Sequence, residues 1–130
     1  MRKPTSPFGA YKAPKPTKQP DPPAPRNFGW ERLIMDAFEK RLQIEYRCTG
    51  DAQHRTMNPY VLYESGPGKV LVGGWQVRNP NKPSAPDWRN PEVGGLVDLR
   101  IGAEAFQPDP TFNTGDERYR NGVMGTVRRF

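Results

Sequence analysis

The fold is decided by a series of short segments: Ile44-Glu45-Tyr46, Arg55-Thr56-Met57-Asn58-Pro59, Val70-Leu71-Val72-Gly73-Gly74 and Leu99-Arg100-Ile101. Apolar and polar side chains alternate along much of this stretch, which is the pattern of half-buried β-strands. Turn-forming residues separate the segments, and Gly73-Gly74 predicts a sharp bend or bulge. We therefore expect a mainly β (α+β) fold, a small, strongly bent sheet or barrel of about five to six strands over residues 42–127.

A single amphipathic helix is predicted ahead of the strands, over about residues 28–41. Apolar residues recur there with helical spacing, at Trp30, Leu33, Ile34, Ala37 and Phe38. Charged residues cover the opposite face, and Asn27 is suited to cap the first turn. The apolar stripe is typical of a helix that packs against a sheet.

The first 27 residues differ in composition from the rest of the chain. They hold eight of the 16 prolines and six basic residues against one acidic residue, a net charge of +5. Residues 28–130 carry only +1. Dense proline prevents regular structure, so we expect a disordered Pro/Lys-rich tail over 1–27 and one domain over 28–130. The tail is either a solvated tether, which we favour, or an arm that contacts nucleic acid or a proline-binding groove.

Several classes of protein find little support in the composition. The single cysteine, Cys48, offers no disulfide framework within the chain, and no apolar run approaches the ~20 residues of a membrane helix. A cytoplasmic protein without a membrane segment is therefore expected. With one histidine, His54, and one cysteine, the chain offers no His-based metal cluster. Cys48 and His54 are the one conceivable nucleophile–base pair, but Cys48 continues an apolar alternation and we favour a core position for it, so we expect no enzyme activity, no metal and no cofactor.

The order of the segments resembles the WYL domain, a ligand-sensing module of bacterial regulators. The matching positions are Tyr46, Arg55, Pro59, Leu62, Leu71, Arg100, Ile101 and Phe106. The resemblance spans about residues 42–112. Lys69 and Val70 stand where the family has the Trp and Tyr of its name. The chain therefore resembles a divergent, stand-alone WYL-like domain, which implies an Sm-like or SH3-like barrel that binds nucleic acid, nucleotides or similar anions.

The resemblance implies that Arg55 and Arg100 face the ligand. Guanidinium groups pair with phosphate, and aromatic rings stack on bases, so the wider set of candidate ligand-binding residues adds Arg47, Arg78, Arg89, Tyr46, Tyr60, Trp75 and Trp88. Two alternatives stay open. The arginines instead form ion pairs with nearby carboxylates, those of Glu45, Asp51, Asp87 and Asp98, while Tyr46 and Trp75 lie in the core. Trp88 is either a stacking lid or a cover for one end of the barrel.

These residues predict a non-enzymatic, ligand-binding regulatory module that recognises a nucleotide, single-stranded nucleic acid or a similar anion. The alternative is a structural or protein-interaction module that uses the barrel and the proline-rich tail. The near-neutral charge of residues 28–130 favours the alternative, whereas the ordered arginines favour the first hypothesis. The oligomeric state is left open.

Overall fold

The computed structural model describes residues 22–129. One helix, α1 (Phe28–Lys40), precedes six strands. The strands are β1 (Leu42–Arg47), β2 (Arg55–Glu64), β3 (Val70–Arg78), β4 (Asp87–Arg89), β5 (Asp98–Ala105) and β6 (Val123–Thr126). Short 3-10 turns span Val93–Gly95 and Glu117–Tyr119. The expected combination of one amphipathic helix and a small, mainly β domain is confirmed.

Helix α1 begins and ends where its sequence supplies caps. The side chain of Asn27 accepts a hydrogen bond from the backbone N–H of Trp30. At the other end, Arg41 adopts a left-handed conformation with φ of 54° and donates its backbone N–H to the carbonyls of Ala37 and Phe38. Both caps satisfy backbone groups that the helix itself leaves unpaired.

The strands form one antiparallel sheet in the order β4-β3-β2-β1-β5, and β6 pairs with β2. The long strand β2 uses its first part, residues 55–57, to pair with β1 and its last part, residues 61–63, to pair with β6. The sheet does not close into a barrel. An open sheet is therefore the correct one of the two architectures that the sequence predicts.

A β-bulge lies between Pro59 and Val61, where the register between β2 and β3 shifts by one residue. Gly73 and Gly74 face this shift from β3, and a Cβ atom at Gly74 would collide with the carbonyl oxygen of Asn58. Gly73-Gly74 predicts a bend or a bulge, and the bulge is confirmed. The sequence pattern also predicts that Pro59 ends a strand, and this is wrong. Strand β2 continues through Pro59, since a bulge tolerates a residue without an N–H.

The core lies between α1 and one face of the sheet. Ile34 and Phe38 of the helix pack in one buried cluster with Ile44, Tyr46 and Met57 of the sheet. We call the face with these three sheet residues the inner face. The opposite face, which carries Glu45 and its cross-strand partner Thr56, is the outer face.

Residues 22–27 belong to the segment for which a disordered tail is predicted, and they lie against the domain. The backbone N–H of Ala24 donates to the Glu92 carboxylate at 2.9 Å. The guanidinium of Arg26 contacts Glu31, a buried carboxylate of α1, at 2.6 Å. The rest of the predicted tail, residues 1–21, falls outside the described residues.

Candidate functional site

The pairing of β1 with its neighbours places the two main candidate arginines on different faces. Arg55 lies directly opposite Tyr46, and Arg100 lies directly opposite Glu45. Directly opposed residues share a face, whereas consecutive residues of a strand point to opposite faces. Arg55 therefore belongs to the inner face and Arg100 to the outer face. The structure does not bring them into one pocket.

Arg55 is held by a carboxylate. Its Nε donates to Asp51 Oδ2 at 2.7 Å, and a terminal nitrogen donates to Asp51 Oδ1 at 3.0 Å. Asp51 also accepts the backbone N–H of Cys48, which closes the turn between β1 and β2. The hydrogen bonds from Arg55 lower the pKa of Asp51, so this carboxylate stays charged. The side chains are only 22% and 7% exposed, which is the geometry of a structural ion pair.

Arg100 is held less completely. Its Nε donates to Glu45 Oε1 at 2.6 Å, and its side chain is 58% exposed. Within the described residues its two terminal nitrogens make no hydrogen bond. Arg100 lines a groove of about 320 Å³ together with Glu45, Ala52, Gln53, His54, Thr56, Arg78 and Pro80. We call this groove the outer groove.

Arg78 is the second arginine of the outer groove. Between residues 22 and 129, no carboxylate lies within salt-bridge distance of its guanidinium. Arg78 lies at the end of β3, where it is the register partner of Thr56. The described lining of the groove thus contains two guanidinium groups, the imidazole of His54 and one carboxylate, that of Glu45.

Arg47 and His54 share Asp98 at the adjoining end of the sheet. His54 Nε2 lies 2.8 Å from Asp98 Oδ2, and this contact lowers the pKa of Asp98. Arg47 Nε lies 4.0 Å from the same oxygen, which is close enough for an ion pair but too long for a hydrogen bond. The buried Nε of Arg47 has no hydrogen-bond partner in the described residues. Arg47 therefore lies beside the outer groove without lining it.

Arg89 forms an exposed ion pair with its neighbour on the same strand, Asp87, at 3.0 Å. Four of the five candidate arginines thus have a carboxylate within salt-bridge distance, as the alternative interpretation expects, and within the described residues Arg78 has none. Ligand binding by any of them stays a prediction.

Tyr46 lies in the core and not on a binding surface. Its side chain is 1% exposed, and its hydroxyl donates to Gln76 Oε1 at 3.0 Å. Burial raises the pKa of the hydroxyl far above its ordinary value. The placement of Tyr46 among the ligand-facing residues is thereby corrected, because its position on β1 points it toward α1.

Trp88 contributes to a second concave site. Its indole N–H donates to Asn90 Oδ1 at 3.0 Å, and its ring stacks on Phe112 with centroids 5.7 Å apart. A pocket of about 460 Å³ opens here. Its lining residues are Tyr60, Trp75, Trp88, Asp109, Thr111 and Phe112, and we call it the aromatic pocket.

Sequence reasoning found only part of these two sites. Tyr60, Trp75 and Arg78 are among the candidates that the sequence predicts, since each is an aromatic or basic residue in or beside a predicted strand. Phe112 and Asp109 carry no sequence signal, because they lie in the loop between β5 and β6 and reach the pocket only through the tertiary fold.

Within residues 22–129, no helix has both the length and the apolar character needed to cross a membrane.

Comparison with known proteins supports the architecture. No protein-family profile and no curated protein matches the sequence. The fold is similar to that of proteasome accessory factor B/C (PafBC) of Arthrobacter aurescens, with a TM-score of 0.53 and 15% sequence identity. The similarity covers 76% of this chain and 16% of PafBC. This chain is thus similar in fold to one small part of a longer protein.

Proposed function

We propose that this chain is a WYL-like regulatory module that binds a nucleotide, single-stranded nucleic acid or a similar anion without catalysing a reaction. The observation that carries the proposal is the outer groove, with Arg78 and Arg100 on its walls. The fold is consistent with it, since the chain is similar in fold to part of PafBC over 76% of its own length. The order of WYL-like residues from Tyr46 to Phe106 supports the same assignment.

The chemistry of the groove suits a phosphate group. Guanidinium is planar and permanently charged, and it donates in pairs to phosphate oxygens. Arg100 donates only its Nε to Glu45, so its two terminal nitrogens remain available for a ligand. Arg78 has no competing carboxylate in the described part of the chain. Arg55 contributes less to this proposal, because two of its nitrogens are already bonded to Asp51.

Titration of the purified protein with a short labelled oligothymidine tests the proposal, with unlabelled nucleotides as competitors. We expect fluorescence anisotropy to show binding at low salt that weakens as salt rises, because phosphate contacts release counterions. The double variant Arg78→Ala/Arg100→Ala should bind weakly. If both arginines contact phosphates, its salt slope should fall by about 1.4, at about 0.7 per phosphate contact on a single strand.

The matched control is Arg118→Ala/Arg120→Ala. It removes the same charge from an exposed turn outside the outer groove. If this control weakens binding as much as the groove variant, the interaction reflects net charge and the groove is not the site. Absence of binding by the unmodified protein at low salt would also refute the proposal.

A protein-interaction module remains the second candidate, and exposed apolar side chains favour it. Val123 and Met124 of β6 are exposed, as is Met35 of α1, whose sulphur lies close to Gly125. Native mass spectrometry of the protein purified from its own cells separates the two functions. A stoichiometric protein partner without bound nucleotide or nucleic acid would favour the second candidate.

A further inference from the structure

The aromatic pocket lies outside the outer groove and shares none of its lining residues. Trp75 and Trp88 are directly opposed on β3 and β4. Tyr60 lies at the bulge of β2, and Phe112 lies in the loop after β5. Its volume of about 460 Å³ falls within the range of small-molecule sites.

The rings of the pocket hold one another in place. The Tyr60 centroid lies 5.5 Å from that of Trp88 and 5.0 Å from that of Phe112, and both pairs are tilted. The side chain of Trp75 is 42% exposed, so part of its ring remains open to solvent. Aromatic faces carry partial negative charge, and rings at different angles around one space attract a cation.

The charged residue in the described lining of the pocket is Asp109, whose carboxylate is negative like the faces of the aromatic rings. Asp109 Oδ1 accepts the backbone N–H and the hydroxyl of Thr111, each at 2.8 Å. These bonds lower the pKa of Asp109 and keep it a carboxylate. The backbone N–H of Asp109 donates to the Tyr60 hydroxyl at 2.9 Å, which ties the loop to the aromatic cluster. Within the described residues, Asp109 Oδ2 accepts no hydrogen bond.

A basic group is absent from the described lining of the pocket. Arg129 is near the same loop, but its guanidinium donates to the backbone carbonyls of Pro110 and Phe112. The described part of the pocket therefore offers an anion no counter-charge, and its carboxylate repels one. A neutral apolar ligand would leave the carboxylate unused.

We infer that the aromatic pocket binds the methylated ammonium group of a small organic cation. The methyl groups fit the apolar ring surfaces, and the positive charge is shared between the ring faces and the Asp109 carboxylate. Recognition of quaternary ammonium by several aromatic rings is a general mode of cation binding. The site is independent of the proposed anion binding in the outer groove.

The test compares choline with its neutral carbon isostere, 3,3-dimethyl-1-butanol, by calorimetric titration of the full chain. We expect choline to bind at least tenfold more tightly than the isostere. Asp109→Asn keeps an oxygen that accepts from Thr111 but removes the charge, and should weaken choline binding about two- to fivefold, because the carboxylate is exposed to solvent. Trp75→Leu removes a ring at an exposed position and should weaken choline more than the isostere.

The control for Asp109→Asn is Asp116→Asn. Asp116 also accepts a backbone N–H two residues ahead, that of Arg118, and lies outside the pocket. Thermal unfolding checks that each variant is folded, and the exposed Trp75→Leu remains informative if Asp109→Asn is not. Equal binding of choline and the isostere, an equal loss in Asp116→Asn, or binding of adenosine without choline would overturn the inference.

Discussion

Arg55 and Arg100 lie on opposite faces of one sheet and differ in how much of each guanidinium is already bonded. Arg55 donates from two nitrogens to Asp51 and is 22% exposed. Arg100 donates from one nitrogen to Glu45 and is 58% exposed. The comparison shows that two arginines that match the same motif differ in the face they occupy and in the donors they have left.

The local chain explains the difference. Asp51 closes the turn after β1 by accepting the Cys48 N–H, and its backbone N–H donates back to the Cys48 carbonyl at 3.0 Å. Arg55 thus stabilises the turn that connects β1 to β2. Arg100 and Glu45 are instead a cross-strand pair on an exposed surface, where such pairs contribute about 0.2–1 kcal/mol.

The largest effect should come from Arg55→Met, which keeps the length of the side chain but leaves the Asp51 carboxylate without its ion pair. Loss of one partner of a mostly buried pair should lower the free energy of unfolding by about 2–3 kcal/mol. Urea denaturation followed by far-ultraviolet circular dichroism measures it. A loss below about 0.5 kcal/mol would mean that Arg55 does not fasten the turn, and the contrast with Arg100 would disappear.

The next effect should come from Tyr46→Phe on the inner face. The variant leaves the oxygen of Gln76, a side chain that is 1% exposed, without its donor. An unsatisfied buried polar group should lower the free energy of unfolding by about 1–2 kcal/mol. Oligothymidine affinity should not change, since Tyr46 lies away from the outer groove. Weaker oligothymidine binding by a folded Tyr46→Phe protein would place Tyr46 at a ligand after all.

A smaller effect should appear as pH falls. Because Arg55 lowers the pKa of Asp51, the folded chain binds this proton less readily than the unfolded chain. The stability from the pair is present above about pH 5 and is lost as pH falls through the lowered pKa. Urea midpoints from pH 7 to pH 3 should therefore fall more steeply for the unmodified protein than for Arg55→Met. Parallel profiles would show that the pair does not set the pKa of Asp51.

Local pattern was enough to predict the helix, most strands and the bulge opposite Gly73 and Gly74, because each depends on residues close in sequence. Strand β4 was not predicted, since Asp87–Arg89 is a short segment in a proline-rich loop and pairs only through its contact with β3. The face of Arg55 relative to Arg100 was also beyond prediction. It depends on the register of β1 with two different strands, and a one-residue slip would reverse it.

The sequence predicted the types of residue that line the candidate sites but not how these residues are arranged. Arginine and aromatic residues do line concave surfaces, but they do so separately, in the outer groove and the aromatic pocket. The carboxylates that pair with the arginines were recognisable in sequence. The number of hydrogen bonds in each pair depends on the fold: both oxygens of Asp51 accept from Arg55, whereas one oxygen of Glu45 accepts from Arg100.

The smallest effect on stability should come from Arg100→Met, the matched counterpart of Arg55→Met. An exposed substitution that breaks one surface ion pair should change the free energy of unfolding by less than about 0.5 kcal/mol. The same variant should weaken oligothymidine binding, because it removes the two terminal nitrogens of Arg100 from the outer groove. Denaturation and anisotropy on one preparation measure both. A large loss of stability without a loss of affinity would make Arg100 a structural residue like Arg55, because its donors would then serve the sheet and not a ligand.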